Sequence, residues 1–342
     1  MGREIIKVIQ NKCFIIAELS ANHNHKKEIA LESINAAKEA GADAVKIQTY
    51  TAETMTLDCD NEYFQIEQGT LWDGTTLYKL YQKAFTPWEW HQELFDYAKE
   101  IGIPLFSTPF DKSAVDFLEK LGNPIIKIAS FELIDIPLVE YAASKGRPMI
   151  MSTGIATIQE IQDAIDACRR VGNNDITLLK CTSSYPAPLN EANLLTIPDM
   201  ARRFGCKVGL SDHSTGNVAA CTAVVLGAQI IEKHFIINRS IGGPDAAFSM
   251  TKDEFAEMVK RIRETEESLG TISYELSEKM KANRKFARSL FACADIALGE
   301  LFNEQNIRSI RPGDGCSPKY LPQLLGKPAK RAYKLGEPII WE

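Results

Sequence analysis

Two histidines carry the first chemical suggestion in this chain. His213 follows the apolar run VGLSD and His234 follows QIIEK, each just past the point where a buried strand would end. Adjacent parallel strands lie roughly 5 Å apart, so imidazoles at matching strand ends can face one divalent cation while water or substrate takes its other positions. The plain alternative is a pair of hydrogen-bonded core histidines; the matching placement on successive strands favours the metal. His23 and His25, in SANHNHKKE, form a weaker cluster open to either reading, and His91 is expected on a helix surface.

Charged and hydroxyl residues share the same kind of position. Glu18 and Glu232 both end apolar runs, where a carboxylate can act as a general base or pair with a lysine. Lys46 and Lys127, with Thr108, Ser130, Ser152 and Ser211, form a cradle for a phosphate plus a carboxylate. A lysine imine is the competing chemistry, with Lys180 as its best candidate. Asp245, in the turn GGPD, serves either a substrate hydroxyl or its own backbone.

Something must bring these residues together. Eight apolar runs of strand length alternate with amphipathic helices before residue 270: 13–19, 44–48, 104–107, 125–128, 149–152, 176–180, 207–210 and 229–233. The helix at 157–171 sets Ile158, Ile161, Ile165 and Cys168 on one stripe, and the last, near 252–269, does so with Phe255, Met258, Val259 and Ile262. Eight βα units build an α/β fold that is either a (β/α)8 TIM barrel or an open sheet. No glycine-rich dinucleotide loop follows any strand, and nearly every strand ends in a polar residue, Ser107 and Lys180 included. A barrel aims all of these at one spot, as enzymes of that fold require. The connection from Tyr50 to about Thr86, with the aromatic stretch LWDGTTLYKLYQ, is long enough to act as a lid over the mouth.

Residues 1–270 are therefore expected to form the catalytic barrel, 271–283 a linker helix, and 284–342 a small β-rich module in which LGELF is echoed by LGEPI. The composition, 45% hydrophobic and 25% charged, is that of a globular protein. A net charge of −6 argues against a nucleic-acid or anionic-membrane surface. No apolar run reaches the roughly 18 residues of a membrane span, and MGREIIKVIQNK lacks the pattern of a secretory leader. Eight cysteines without a C-x-x-C pair fit a reducing compartment, so a cytoplasmic location is expected.

The segments FIIAELSANH, GADAVKIQTY, FSTPFD, IKIAS, STG, KCTSSYP, GLSDHS, IEKHF and GGPD, followed by FARSLFA and SIRPG, resemble in this order the sialic acid synthase family. Its members condense phosphoenolpyruvate with an aldose and carry a C-terminal SAF (antifreeze-like) module. The resemblance spans essentially the whole chain. KIASFE and GTLWDGTTLYKLYQKAFTPWEWH are most similar to the branch that makes pseudaminic acid from 2,4-diacetamido-2,4,6-trideoxy-L-altrose.

The resemblance implies that His213 and His234 hold Mn2+, with Mg2+ or Co2+ as substitutes. It implies that Lys46, Thr108, Lys127, Ser130, Ser152, Ser183 and Ser211 hold phosphoenolpyruvate, although Ser183 stands where the sialic acid enzymes tend to have Asn. Gln48, Tyr185, Asp245 and Arg311 would contact the sugar, and Glu18 or the metal would activate water. Because Arg311 belongs to the C-terminal module, a domain-swapped homodimer is implied. The nearest rivals make N-acetylneuraminic or legionaminic acid on the same scaffold; more distant ones are a pyruvate aldolase working through an imine and a catalytically dead carbohydrate- or ice-binding protein.

Overall fold

Alternation along the strands decides which polar side chains reach the centre of this molecule. A computed structural model describes residues 12–67, 69 and 72–340; residues 1–11, on which the leader was judged, and Leu71 of the aromatic stretch lie outside them. The chain divides into two compact units, Met1–Gly270 and Thr271–Glu342.

In the first unit β1 (Phe14–Glu18), β2 (Ala44–Thr49), β3 (Leu105–Pro109), β4 (Ile126–Ile128), β5 (Met149–Ser152), β6 (Ile176–Cys181), β7 (Lys207–Asp212) and β8 (Ile230–His234) form a closed parallel barrel. β8 pairs back onto β1, matching Glu18 with His234. Phe14, Ile16, Ala44, Phe106, Ile125, Ile150, Leu179 and Ile230 fill the interior. Their neighbours Ile15, Val45, Leu105, Ile126, Met149, Leu178 and Ile231 belong to the larger core between strands and helices. With a period of two, Glu18, Lys46, Gln48, Thr108, Lys127, Ser152, Ser211 and Glu232 continue the inward set.

Ser107 and Lys180 have the opposite parity, which corrects the expectation that every strand-end polar group meets at the axis. Ser107 Oγ sits 2.6 Å from Thr49 Oγ1 and 3.0 Å from the Ile47 carbonyl. Lys180 donates to the Cys181 carbonyl and to Thr182 Oγ1, so its amine is directed away from the site.

The helices follow their sequence signals closely. Thr157 and Glu160 form a capping box at the start of Ile158–Arg170, and Thr251 and Glu254 do the same for Lys252–Leu269. Ile161, Ile165 and Cys168 are buried, but Ile158, in the first turn, is 60% exposed, so the stripe is unmet there. Among the described residues no helix is long and apolar enough to cross a membrane.

His91 is the clearest departure. It opens the helix His91–Ile101 and is fully buried. Its Nδ1–H donates to the Pro87 carbonyl at 3.2 Å, and Nε2 lies 2.8 Å from Thr49 Oγ1, which joins Ser107. The sequence reads as surface because the groups that cover the ring, the Thr49 hydroxyl and the Phe117 ring, come from distant parts of the chain. His23 is likewise buried, 3.1 Å from Thr86 Oγ1.

Burial lowers both imidazoles from 6.5 to about 4. In that interval the unfolded chain binds more protons, so the stability each neutral ring contributes is complete above about pH 6.5 and is lost as pH falls through about 4. At about pH 5 the loss is roughly 2 kcal/mol per histidine. Urea unfolding of His91→Gln should accordingly show a smaller difference between about pH 7.5 and pH 5 than the wild type; an identical difference would refute the assignment.

In the second unit, the expected helix over 271–283 begins only at Glu278, where Ser277 caps it by accepting from the Met280 amide. β9 (Ser289–Ala292) and β10 (Ile307–Ile310) pair antiparallel over a core that includes Leu290, Phe302, Tyr333 and Ile339. The LGE repeat is a repeated turn. Glu300 accepts from the Ala297 amide and Glu337 from the Lys334 amide, each across a glycine at φ +82° or +85°, a backbone region that glycine enters without steric cost.

Candidate active site

The inward strand-end residues form one buried network at the C-terminal mouth of the barrel. Lys46 Nζ lies 2.5 Å from Glu18 Oε2, 3.6 Å from Glu232 Oε1 and 3.2 Å from Thr108 Oγ1. Lys127 Nζ lies 3.5 Å from the same Glu232 oxygen, to which Ser211 also donates. Glu18 Oε1 accepts from Ser20 Oγ and from the Gln48 amide. The four charged residues are all at most 5% exposed.

Electrostatics separates the two lysines. Burial acts to lower Lys46, but Glu18 and Glu232 outweigh it and its affinity for a proton is raised. Lys127 is lowered, chiefly by burial, with Lys46 repelling it and with Glu232, then Cys181 and Glu18, opposing the shift. Burial would raise Glu232, yet Lys127 and Lys46 hold it in the ionised form. Lys127 therefore has the less compensated charge of the two.

Beside Lys127 the loops after β4, β5 and β6 converge on Gly154. Its amide donates to Ser130 Oγ at 3.1 Å. A Cβ on Gly154 would stand 2.1 Å from Ser183 Oγ, 2.8 Å from Ser130 Oγ and 3.1 Å from Cys181 Sγ. The glycine thus lets the Ser130 and Ser183 loops and the end of β6 at Cys181 close together, and the nearby Ser152 Oγ is buried without a protein partner.

The histidines stand across the mouth, ring centroids 5.3 Å apart. The Nδ1–H of His213 donates to the Thr182 carbonyl at 3.0 Å, which turns Nε2 away from the backbone, the arrangement common behind ligating imidazoles. His234 Nδ1 is buried without a hydrogen-bond partner, as is Glu232 Oε2. Burial first, then His213 and the lysines, keep His234 neutral, the form that coordinates. Among the described residues no group of three or more His, Cys, Asp or Glu side chains gathers as a metal cage. The donor set fits a divalent ion held by two imidazoles, its other positions left to water and substrate.

Aromatic rings enclose the histidines. Tyr185 lies 4.3 Å from His213 and 5.0 Å from Phe248, and Phe248 lies 4.9 Å from His234. The long connection after β2 returns over this wall: Trp72 packs 5.8 Å from Tyr185 and donates to the Pro244 carbonyl. Asp245 does not turn its carboxylate onto its own backbone. Its carboxylate accepts from the Ala21 amide of the loop after β1, and burial raises it to about 6.

Arg311 belongs to the second unit, where it is exposed just beyond β10. Within the first unit, the structure brings the expected residues, Ser107 and Lys180 excepted, to the barrel mouth. Two were missed. Glu132, two residues after Ser130, has a buried, unpartnered Oε2 and is raised by burial to about 7. Cys181 has the inward parity on β6 and touches His213 at 3.8 Å. For each the available signal was its distance from a residue already selected.

A model of the NeuB family matches residues 33–274, and one of the SAF domain matches residues 287–342. The chain is 49% identical to the pseudaminic acid synthase of Helicobacter pylori, over 95% of this chain and 96% of that one. It is 35% identical to the N,N'-diacetyllegionaminic acid synthase of Legionella pneumophila, over 96% and 94%. Among solved structures, the spore coat polysaccharide biosynthesis protein spsE of Bacillus subtilis superposes with a TM-score of 0.66 at 36% identity, covering 96% of this chain and 94% of that one.

Proposed function

The chain belongs to the NeuB family, and from that premise we propose that it condenses phosphoenolpyruvate with 2,4-diacetamido-2,4,6-trideoxy-L-altrose and water to give pseudaminic acid and phosphate. One observation carries the choice of sugar: over nearly the same span, identity to the pseudaminic acid enzyme is 49% and to the legionaminic acid enzyme 35%. The reaction makes it an alkyl-transferring transferase. The buried lysines and hydroxyls suit an anion with two charged ends, and the two-histidine set suits Mn2+.

Lys127, with Ser130, Ser152, Ser183 and the Gly154 amide, holds one charged end of phosphoenolpyruvate, and Lys46 with Thr108 and Ser211 holds the other. His213 and His234 would hold the metal, and the chemistry it would supply there is Lewis-acid polarisation of the sugar aldehyde. C3 of phosphoenolpyruvate then forms a bond to that aldehyde carbon, and positive charge develops at C2. Glu18, beside Lys46 and oriented by Ser20 and Gln48, takes a proton as water adds to C2, and the aldehyde oxygen, left as an alkoxide by C–C bond formation, takes up a proton in turn. The C2–O bond to phosphate then breaks as the new C2 hydroxyl gives its proton to the departing phosphate and becomes the keto group. Glu232 holds both ammonium groups in place. Fixing two substrates at one centre can itself supply up to about 7–11 kcal/mol of the barrier.

Tyr185, Gln48 and Asp245 contact the sugar, joined by Arg311 from a partner in a domain-swapped homodimer. Arg311→Ala should then raise the sugar KM and leave that of phosphoenolpyruvate unchanged. Cytoplasmic placement, in keeping with eight unpaired cysteines, belongs to the same reading. Gly154→Ala is expected to raise the KM for phosphoenolpyruvate at least about tenfold, about 1.4 kcal/mol, because its Cβ forces Ser183 and Ser130 apart; an unchanged KM would remove those loops from the anion site.

The deciding experiment measures phosphate release from phosphoenolpyruvate with the diacetamido-trideoxy-altrose, with N-acetylmannosamine and with a chelator. Release that requires the altrose sugar and stops on chelation is expected. Preference for N-acetylmannosamine would move the substrate, and release that survives chelation would remove the metal.

A further inference from the structure

Each of the two histidines is preceded by a charged residue, Asp212 before His213 and Lys233 before His234. Parity turns both away from the barrel axis, opposite to Ser211 and Glu232, so neither can touch a substrate. They meet instead in the layer between strands and helices, Lys233 Nζ 2.6 Å from Asp212 Oδ2, at 1% and 4% side-chain exposure. Their neighbours along the strands in this layer, Leu210, Ile231 and Phe235, are apolar. A buried ion pair in such a setting contributes little net stability compared with a well-packed apolar pair, so stability alone does not explain it.

The ladder supplies a reason. Pairing between β7 and β8 ends at Asp212 and Lys233, one residue short of either histidine. On its far side His234 is still registered to Glu18 of β1, whereas His213 has left the sheet. The Lys233 ammonium reaches past the end of the ladder to the carbonyls of Ser214 and Gly216, while Asp212 Oδ1 accepts from the amide and hydroxyl of Ser214. The strand that carries His234 thereby holds the Asp212 carboxylate just before His213 and the backbone just after it.

We infer that Asp212 and Lys233 are positioning residues that set the separation of the two metal-binding imidazoles. The inference rests on the metal reading above. A site with only two protein ligands has no third side chain to enforce geometry, and the clamp does so from behind. Groups placed behind metal ligands in this way typically contribute 10–100-fold to metal affinity.

Mn2+ binding to the purified full-length protein, followed through the EPR signal of the free ion, tests this without reference to turnover. Asp212→Asn is expected to weaken Mn2+ binding at least about tenfold. Because it leaves a buried ammonium unpaired and can impair folding, the neutral pair Asp212→Leu with Lys233→Met is measured beside it; it fills the layer without charge and is expected to melt close to the wild type yet bind Mn2+ as weakly. A neutral-pair protein that keeps wild-type Mn2+ affinity, whatever its melting temperature, would overturn the clamp. Failure of the wild type itself to bind Mn2+ would overturn the metal reading instead.

Discussion

His234→Ala should abolish phosphate release that depends on the sugar, lowering kcat/KM by at least about 10^3, several kcal/mol of transition-state charge stabilisation. His234 Nδ1 is a buried nitrogen with no partner in the protein, and such a group is costly to keep unless a ligand uses it. Removing the ring deletes that ligand and leaves a small gap beside Phe248 and Tyr185. The fold should survive, because the ladder to β1 runs through the backbone at Glu18 and His234. Thermal melting within a few degrees of wild type, together with lost Mn2+ binding and lost turnover, is the expected set of results. Retained turnover would show that the imidazole pair does not carry the electrophile.

Lys127→Met should be nearly as damaging through a different route. Lys127 is the lysine whose charge is least compensated, lowered by burial and facing Glu232 at 3.5 Å. Replacing it removes a donor aimed at the anion, for which losses of about 10^2–10^3 in rate are typical. It also leaves Glu232 with Lys46 alone, at 3.6 Å, and breaking a buried pair costs about 3–5 kcal/mol of stability. Both effects should appear: a fall in kcat/KM for phosphoenolpyruvate and a lower urea midpoint, with Mn2+ affinity unchanged. A kinetic effect confined to the sugar would exclude Lys127 from the anion cradle.

Much of this was legible before any coordinates, and its limits have physical causes. The eight strands are readable because apolar runs bounded by turn residues are local signals, and the two large helices announce themselves through Thr-x-x-Glu capping boxes. His91 was misread because its helix looks amphipathic in isolation, while the partner that buries it, Thr49, is 42 residues away. Ser107 and Lys180 were aimed at the axis because a strand end seen in sequence has no stated parity until one interior residue, such as Phe106 or Leu179, is identified.

What the sequence by itself determined was the inventory: eight βα units, a compact C-terminal module, and the lysines, glutamates, hydroxyls and histidines placed near strand ends. The residue types carry their chemistry wherever they stand, and periodicity is a property of neighbours along the chain. Only the tertiary structure decided which of these residues act together. Closure of β8 onto β1 brings Glu18, at one end of the barrel sequence, beside Glu232 and His234 at the other, and lets Lys46 span both carboxylates. Burial then separates Lys127 from Lys46 in charge and deprives His234 of a partner. These are effects of distance in space and of exclusion from water, and a linear sequence encodes neither until the sheet is closed.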